Sequence, residues 1–255
     1  MKRYTWMVLL SVGMAIASQA FADPIADADS AGKRGDYTAE FVQVGTLAQQ
    51  GNASAQRRLG TMYASGRGVQ QDYDEAEKWF LKAAAQGDLD SMWNIGNIYH
   101  RGRGKFPKDF GRAENWYSRA AERGHILSQT TLAFTYHSGD GVEKNDSLAA
   151  TWFERAANQG SSDAQLMLGI LYENGQGVPQ DRVLAYKWLN IAAARPLPKR
   201  PPDSAQFPDK ISYGLDAVNR KMAAETRDRL YREMTSVERA EGQRLTRIWR
   251  VTIER

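Results

Sequence analysis

Residues 52–87 read NASAQRRLGTMYASGRGVQQDYDEAEKWFLKAAAQG, and the chain then writes the same sentence three more times, over 88–124, 125–160 and 161–196. Leu59, Ile95, Leu132 and Leu168 fall in register, as do Gly60, Gly96, Ala133 and Gly169, and then Tyr63, Tyr99, Tyr136 and Tyr172. A Gly-x-Gly follows each tyrosine: Gly66/Gly68, Gly102/Gly104, Gly139/Gly141 and Gly175/Gly177. Each unit then carries an alanine (Ala76, Ala113, Ala149, Ala185), a tryptophan with a bulky neighbour (Trp79-Phe80, Trp116-Tyr117, Trp152-Phe153, Trp188-Leu189) and a closing Ala-Ala. Self-similarity at this period is the mark of a helical solenoid.

The spacing within a unit is helical. Leu59 and Tyr63 are i and i+4, while Ala76, Trp79/Phe80 and Ala83/Ala84 follow i, i+3/i+4 and i+7/i+8. The first unit is therefore expected to hold one helix near 53–64 and a second near 73–86. Asn52, Asp88 and Ser161 suit the N-caps of first helices, and Asp72, Asp109, Asn145 and Asp181 those of second helices. Asp72-x-x-Glu75 reads as a capping box with Asp in the Ser/Thr role. His125 is a poor cap. The small residues Gly60, Gly96, Ala133 and Gly169 let the paired helix approach, and Trp79, Trp116, Trp152 and Trp188 are expected to fill the space beside them. Lys105-Phe106-Pro107 carries one extra residue, so that turn should bulge. No unit can bury its apolar face alone, and stacking supplies the core.

The recurring A-x-x-x-L-G-x-x-Y-x-x-G-x-G-V and A-x-x-W-[FY]-x-x-A-A-x-x-G motifs resemble the Sel1-like repeat family, a relative of the tetratricopeptide repeats. The resemblance runs from about Gly35 to Trp249. It implies an all-α fold, a right-handed superhelix of α-hairpins, and most often protein–protein interaction rather than one activity.

Both flanks of the array have a reading of their own. Lys2 and Arg3 precede an apolar run from Met7 to Ala17, and Ala20-Phe21-Ala22 fits small-x-small cleavage before Asp23. Residues 1–22 thus read as a signal peptide, with an uncleaved anchor as the alternative. Removing Lys2 and Arg3 takes the net charge from +4 to +2, too mild to argue for nucleic acid. With no cysteine in the chain, an exported solenoid must stand on helix packing alone. Residues 23–51 read as a degenerate leading hairpin, with helices over Ile25–Lys33 and Thr38–Gln50 and a turn at Gly35-Asp36-Tyr37. Five prolines between 196 and 208 indicate a stiff connector, placed at 197–214. Residues 215–255 read as a C-terminal helical cap, its second helix opened by a Thr235-x-x-Glu238 capping box. From Arg195 onward, fourteen Lys/Arg stand against nine Asp/Glu, a balance that usually marks a solvated helix face.

Little in the sequence points to catalysis. The Gly-x-Gly turns lie between helices and do not continue as phosphate loops. No H-E-x-x-H or G-x-S-x-G occurs. His100 and His137 are equivalent in adjacent units, but the same column offers only Ala64 and Glu173, too few ligands for zinc. No catalytic residue, metal or cofactor is expected. Some cysteine-rich relatives are described as β-lactamases, and this chain lacks their disulfides. Positions that vary between units are free to bind, and on the first helices they form a stripe at i, i+4 and i+7. The candidates are Arg57, Trp93, Asn97, His100, Phe134 and His137. Trp93 and Phe134 are either interface anchors or packing between units. The expected function is a non-enzymatic protein-binding scaffold in the bacterial envelope, periplasmic or secreted, without a membrane span once the signal is cleaved. A binder of envelope glycan is the alternative, and a hydrolase the weaker one.

Overall fold

The computed structural model describes residues 24–194 and 209–253, with side chains over 27–194 and 217–250. The expected signal segment and its cleavage site, and the prolines from 196 to 208, lie outside the described residues. Twelve helices are described: α1 (Pro24–Lys33), α2 (Tyr37–Gln49), α3 (Ala53–Ser65), α4 (Tyr73–Ala85), α5 (Leu89–Arg101), α6 (Phe110–Ala121), α7 (Ile126–Ser138), α8 (Asp146–Asn158), α9 (Ser162–Asn174), α10 (Arg182–Ala194), α11 (Asp209–Glu233) and α12 (Ser236–Ile253). Each helix from α1 to α10 packs on the next, so α3–α4, α5–α6, α7–α8 and α9–α10 form hairpins that coincide with the four sequence units. The fold is an all-α solenoid.

Local chemistry explains where the helices begin and end. Asn52 accepts from the Ala55 amide at 2.9 Å, Asp88 from Ser91 at 2.7 Å and Ser161 from Ala164 at 3.3 Å. Asp72, Asp109, Asn145 and Asp181 do the same for the second helices. His125 makes no such bond. The box at Asp72 is only half formed, because the Asp72 amide donates to Tyr63 O at 2.9 Å and Glu75 turns to Lys78. The box at Thr235 is complete: its amide donates to Glu238 Oε2 at 2.7 Å, and the Glu238 amide donates to Thr235 Oγ1 at 3.3 Å. The extra residue near 105 swings Phe106 inward, edge-on to Tyr99 at 5.4 Å.

The close approach inside each hairpin corrects one expectation. The residue after each tryptophan, not the tryptophan, fills the space over the small position. A Cβ on Gly60 would lie 2.8 Å from the Phe80 ring, one on Gly96 2.4 Å from Tyr117, and one on Gly169 2.7 Å from Leu189. Phe80, Tyr117, Phe153 and Leu189 are at most 1% exposed. Adjacent residues on a helix point about 100° apart, so a Trp-Phe pair can send only one ring straight at the partner. Trp79 and Trp116 are half-buried to one side and take the cations of Lys82 and Arg119 over their faces, at 3.7 and 4.2 Å.

The two glycines of each turn have different jobs. The first caps its helix in the left-handed region, as at Gly66 with φ 72°. The second lets one unit dock on the unit before it: a Cβ on Gly141 would strike the Phe110 ring at 2.0 Å. Buried glutamines tie the same seams. Gln56, Gln129 and Gln165 each donate to a carbonyl at the end of the preceding second helix (Ala48, Ala121 and Ala157), at 2.9–3.1 Å. Gln86 and Gln159 in turn donate to Gln56 and Gln129, at 2.8 and 2.7 Å. Each relay satisfies carbonyls that a helix end would otherwise leave orphaned.

The C-terminal cap begins earlier than the sequence suggests. Helix α11 starts at Asp209 and runs through Gly214, so the connector is shorter than 197–214. A glycine inside a helix costs only about 1 kcal/mol and does not end it, and the last proline is Pro208. Helices α11 and α12 both cover α10.

Candidate binding groove

The first helices share a face that carries a groove. Its wider part, a cavity of about 540 Å³, is lined by α1, α2, α3, α5 and α7 and includes Asp29, Arg57, Thr61, Asp90, Trp93 and Leu127. A narrower part of about 290 Å³ adjoins it through Thr61, Ser65, Trp93 and Asn94, and continues past Asn97 to Arg101 and Arg103.

The six candidate residues divide. Arg57, Trp93 and Asn97 line the groove, whereas His100, Phe134 and His137 do not. Trp93 is half-buried and donates from Nε1 to Thr131 Oγ1 at 3.0 Å, so its indole serves both as a seam between units and as a groove wall. Arg57 pairs with Asp88 and Asp90, and His125 Nε2 meets Asp90 at 3.0 Å from the other side. Asn97 Oδ1 accepts from the Tyr117 hydroxyl at 2.9 Å. Burial pushes that hydroxyl far above the usual tyrosine range, which keeps it a donor.

Of the remaining three, His100 sits on the seam between the second and third units, while Phe134 and His137 pack within the third hairpin. His100 packs edge-on to Phe110 at 5.2 Å and meets Asp140 at 3.0 Å. His137 meets Asp146 at 2.8 Å. Burial pushes the Asp146 carboxyl up, but hydrogen bonds from His137 and Lys144 outweigh it and hold the group below the ordinary range. The two histidines thus take separate aspartates. Among the described residues no group of three His, Cys, Asp or Glu side chains is arranged to hold a metal ion. Phe134 is 39% exposed and sets its ring edge-to-face with Phe153 at 5.0 Å.

A cluster the sequence reading missed closes the N-terminal end of the groove. Glu40, only 2% exposed, accepts from Arg58 Nε at 2.9 Å and Nη2 at 2.7 Å, and from Arg67 Nη2 at 2.8 Å. Arg58 also pairs with Asp29, and the Arg67 guanidinium lies over the Tyr37 ring at 4.2 Å. Charges balance within this cluster, so it is a wall, not a vacant anion site. The partners are 18 and 27 residues apart and occur once, so no repeat register signals them.

Among the described residues, no helix is long and apolar enough to cross a membrane. Comparison with known proteins adds the family. Among solved structures, a Sel1 repeat protein from Oxalobacter formigenes is 37% identical, with a TM-score of 0.57, over 62% of this chain and 45% of that one. A protective antigen present in uropathogenic Escherichia coli strains, with an SLR fold, is 24% identical, with a TM-score of 0.43, over 84% of this chain and 48% of that one. Among curated proteins, the ERAD-associated E3 ubiquitin-protein ligase component HRD3A of Arabidopsis thaliana is 42% identical over 72 residues, 28% of this chain. The chain spans 11% of the length of that relative. Residues 53–88, 89–125, 127–161 and 162–196 each match the model of the Sel1 repeat, together more than half of the sequence, and the chain belongs to the Sel1 repeat family.

Proposed function

We propose that this protein is a non-enzymatic scaffold of the bacterial cell envelope that holds a protein partner in the groove along its first helices. One observation carries the reading: the groove is built from positions that differ between units, among them Arg57, Thr61, Trp93 and Asn97, on a frame whose constant positions are spent on packing. Variable side chains on a rigid repeat are how solenoids distinguish partners, and protein binding is the general role of Sel1 repeats. A half-buried tryptophan beside open volume is a typical interface anchor. The envelope location rests on the basic start, apolar run and Ala20-Phe21-Ala22 site of residues 1–22.

Site-specific photocrosslinking in the native cell tests this, read on the periplasmic fraction. Thr61 is exposed, lines both parts of the groove and hydrogen-bonds only within its own helix, to Arg57 O. A crosslinker there is expected to trap a discrete protein, and one at Lys78, exposed on a second helix, to trap none. A folded protein with no adduct at Thr61 refutes the scaffold, and retention in the cytoplasm refutes the envelope assignment.

A further inference from the structure

The two parts of the groove differ in charge. In the wider part every arginine is answered: Arg57 by Asp88 and Asp90, Arg58 by Asp29 and Glu40, Arg67 by Glu40. The narrower part ends in Arg101 and Arg103, both exposed, and no acidic side chain lines it. Among the described residues neither arginine has an ion pair. Their neighbour Asn97 is oriented by Tyr117, whose hydroxyl takes Oδ1 and leaves the Nδ2 hydrogens to the groove. Tyr73, Phe80, Trp93 and Ile98 supply apolar wall beside these donors.

We propose that this narrower part binds an acidic peptide segment of the partner protein, its carboxylates at Arg101 and Arg103 and a main-chain carbonyl at Asn97 Nδ2. The inference deepens the scaffold reading and rests on it. Arginine presents a planar fork that matches carboxylate geometry, and an unanswered pair of such forks at the end of an apolar slot selects for negative charge at one end of the ligand. The wider part argues against an evenly charged polyanion, because such a chain running on from the arginines would meet only Arg57, Arg58 and Arg67, each already answered by an acid. A peptide with its acids clustered at one end needs no further cation.

The test selects random dodecapeptides displayed on phage against the full chain, then measures the enriched peptides by fluorescence anisotropy. Enriched sequences are expected to carry clustered Asp and Glu. They should bind the Arg101→Glu/Arg103→Glu double variant roughly thirtyfold more weakly or worse, and the Arg247→Glu control equally well. Enrichment of neutral or basic peptides, no enrichment, or undiminished binding to the double variant overturns the proposal. So does retention on polygalacturonate that depends on Arg101 and Arg103 when no acidic peptide binds, which assigns the site to a glycan. The two readings fail separately. A crosslinked partner whose contacting segment is uncharged removes the acidic-peptide inference alone, while the absence of any crosslinked protein removes the scaffold.

Discussion

The two ends of this solenoid are closed by opposite chemistry. At the N-terminus, α1 and α2 cover the array with a buried charge cluster, Glu40 held by Arg58 and Arg67, around a small core of Ala28, Val44 and Leu47. At the C-terminus, α11 and α12 cover it mainly with apolar side chains, and the ion pair of Arg229 with Glu173 stands at the exposed rim. Leu230, Met234 and Ala223 join Tyr186 and Leu189, and Trp249 stands edge-on to Trp188 at 6.0 Å. An end unit has only one neighbour to pack against. Apolar area closes such an end without geometric precision, whereas an ionic closure works only if every partner is present.

Substitutions at each end should separate the two closures. Leu230→Ala is expected to have the largest effect, about 3 kcal/mol lost in urea unfolding, because it empties a site that is 1% exposed. Hydrogen exchange should then quicken in α11 and α12 and stay unchanged in α1 and α2. Glu40→Gln should cost about 2 kcal/mol, since it keeps the shape but leaves two arginines sharing a neutral acceptor. Its exchange pattern should be the reverse, with α1 and α2 opening first. If both variants loosen the whole chain evenly, the ends are not independent and the contrast fails.

The smallest effect belongs to an interior hairpin, where charge only supplements packing. The Asp146 carboxyl is held below its ordinary range in the folded protein, so its contribution is present above the unfolded-state value and is lost as pH falls through the folded one. Asp146→Asn should cost under about 1 kcal/mol at pH 6, as expected for a pair open to solvent. The gap from the parent protein should close on acidification below about pH 4. A gap that widens in acid would show that the hairpin is held otherwise.

What the sequence reveals follows from what repeats. Caps such as Asn52 and Asp88 are local, and four aligned copies make them plain. The tryptophan was misplaced because a Trp-Phe pair fixes which helix face is apolar but not which ring points at Gly60. The glutamine relay left a readable trace, Gln56, Gln129 and Gln165 in one column with Gln86 and Gln159 in another, interrupted by Met92 in the second unit. A polar residue recurring inside an apolar frame is a sign of buried hydrogen bonding. Glu40 left no trace, because its partners belong to one end of the array and the spacing between them has no second copy. The groove was half legible. The stripe of variable positions holds Arg57, Trp93 and Asn97, while Arg101 ends α5 and Arg103 lies between two glycines whose spacing signals only a turn.

The relay has a consequence for how such a molecule can grow. Gln56 and Gln129 each give a hydrogen backward along the stack and take one from ahead, so the seam is keyed like a plug and a socket. The end of the third unit presents in Ala157 O the same socket that Ala121 O opens for Gln129. A duplicated copy of residues 125–160 spliced after Gly160 would meet a joint already cut to fit it. Groove length in this architecture is therefore a quantity that gene duplication can set in whole hairpins, with no new interface to invent.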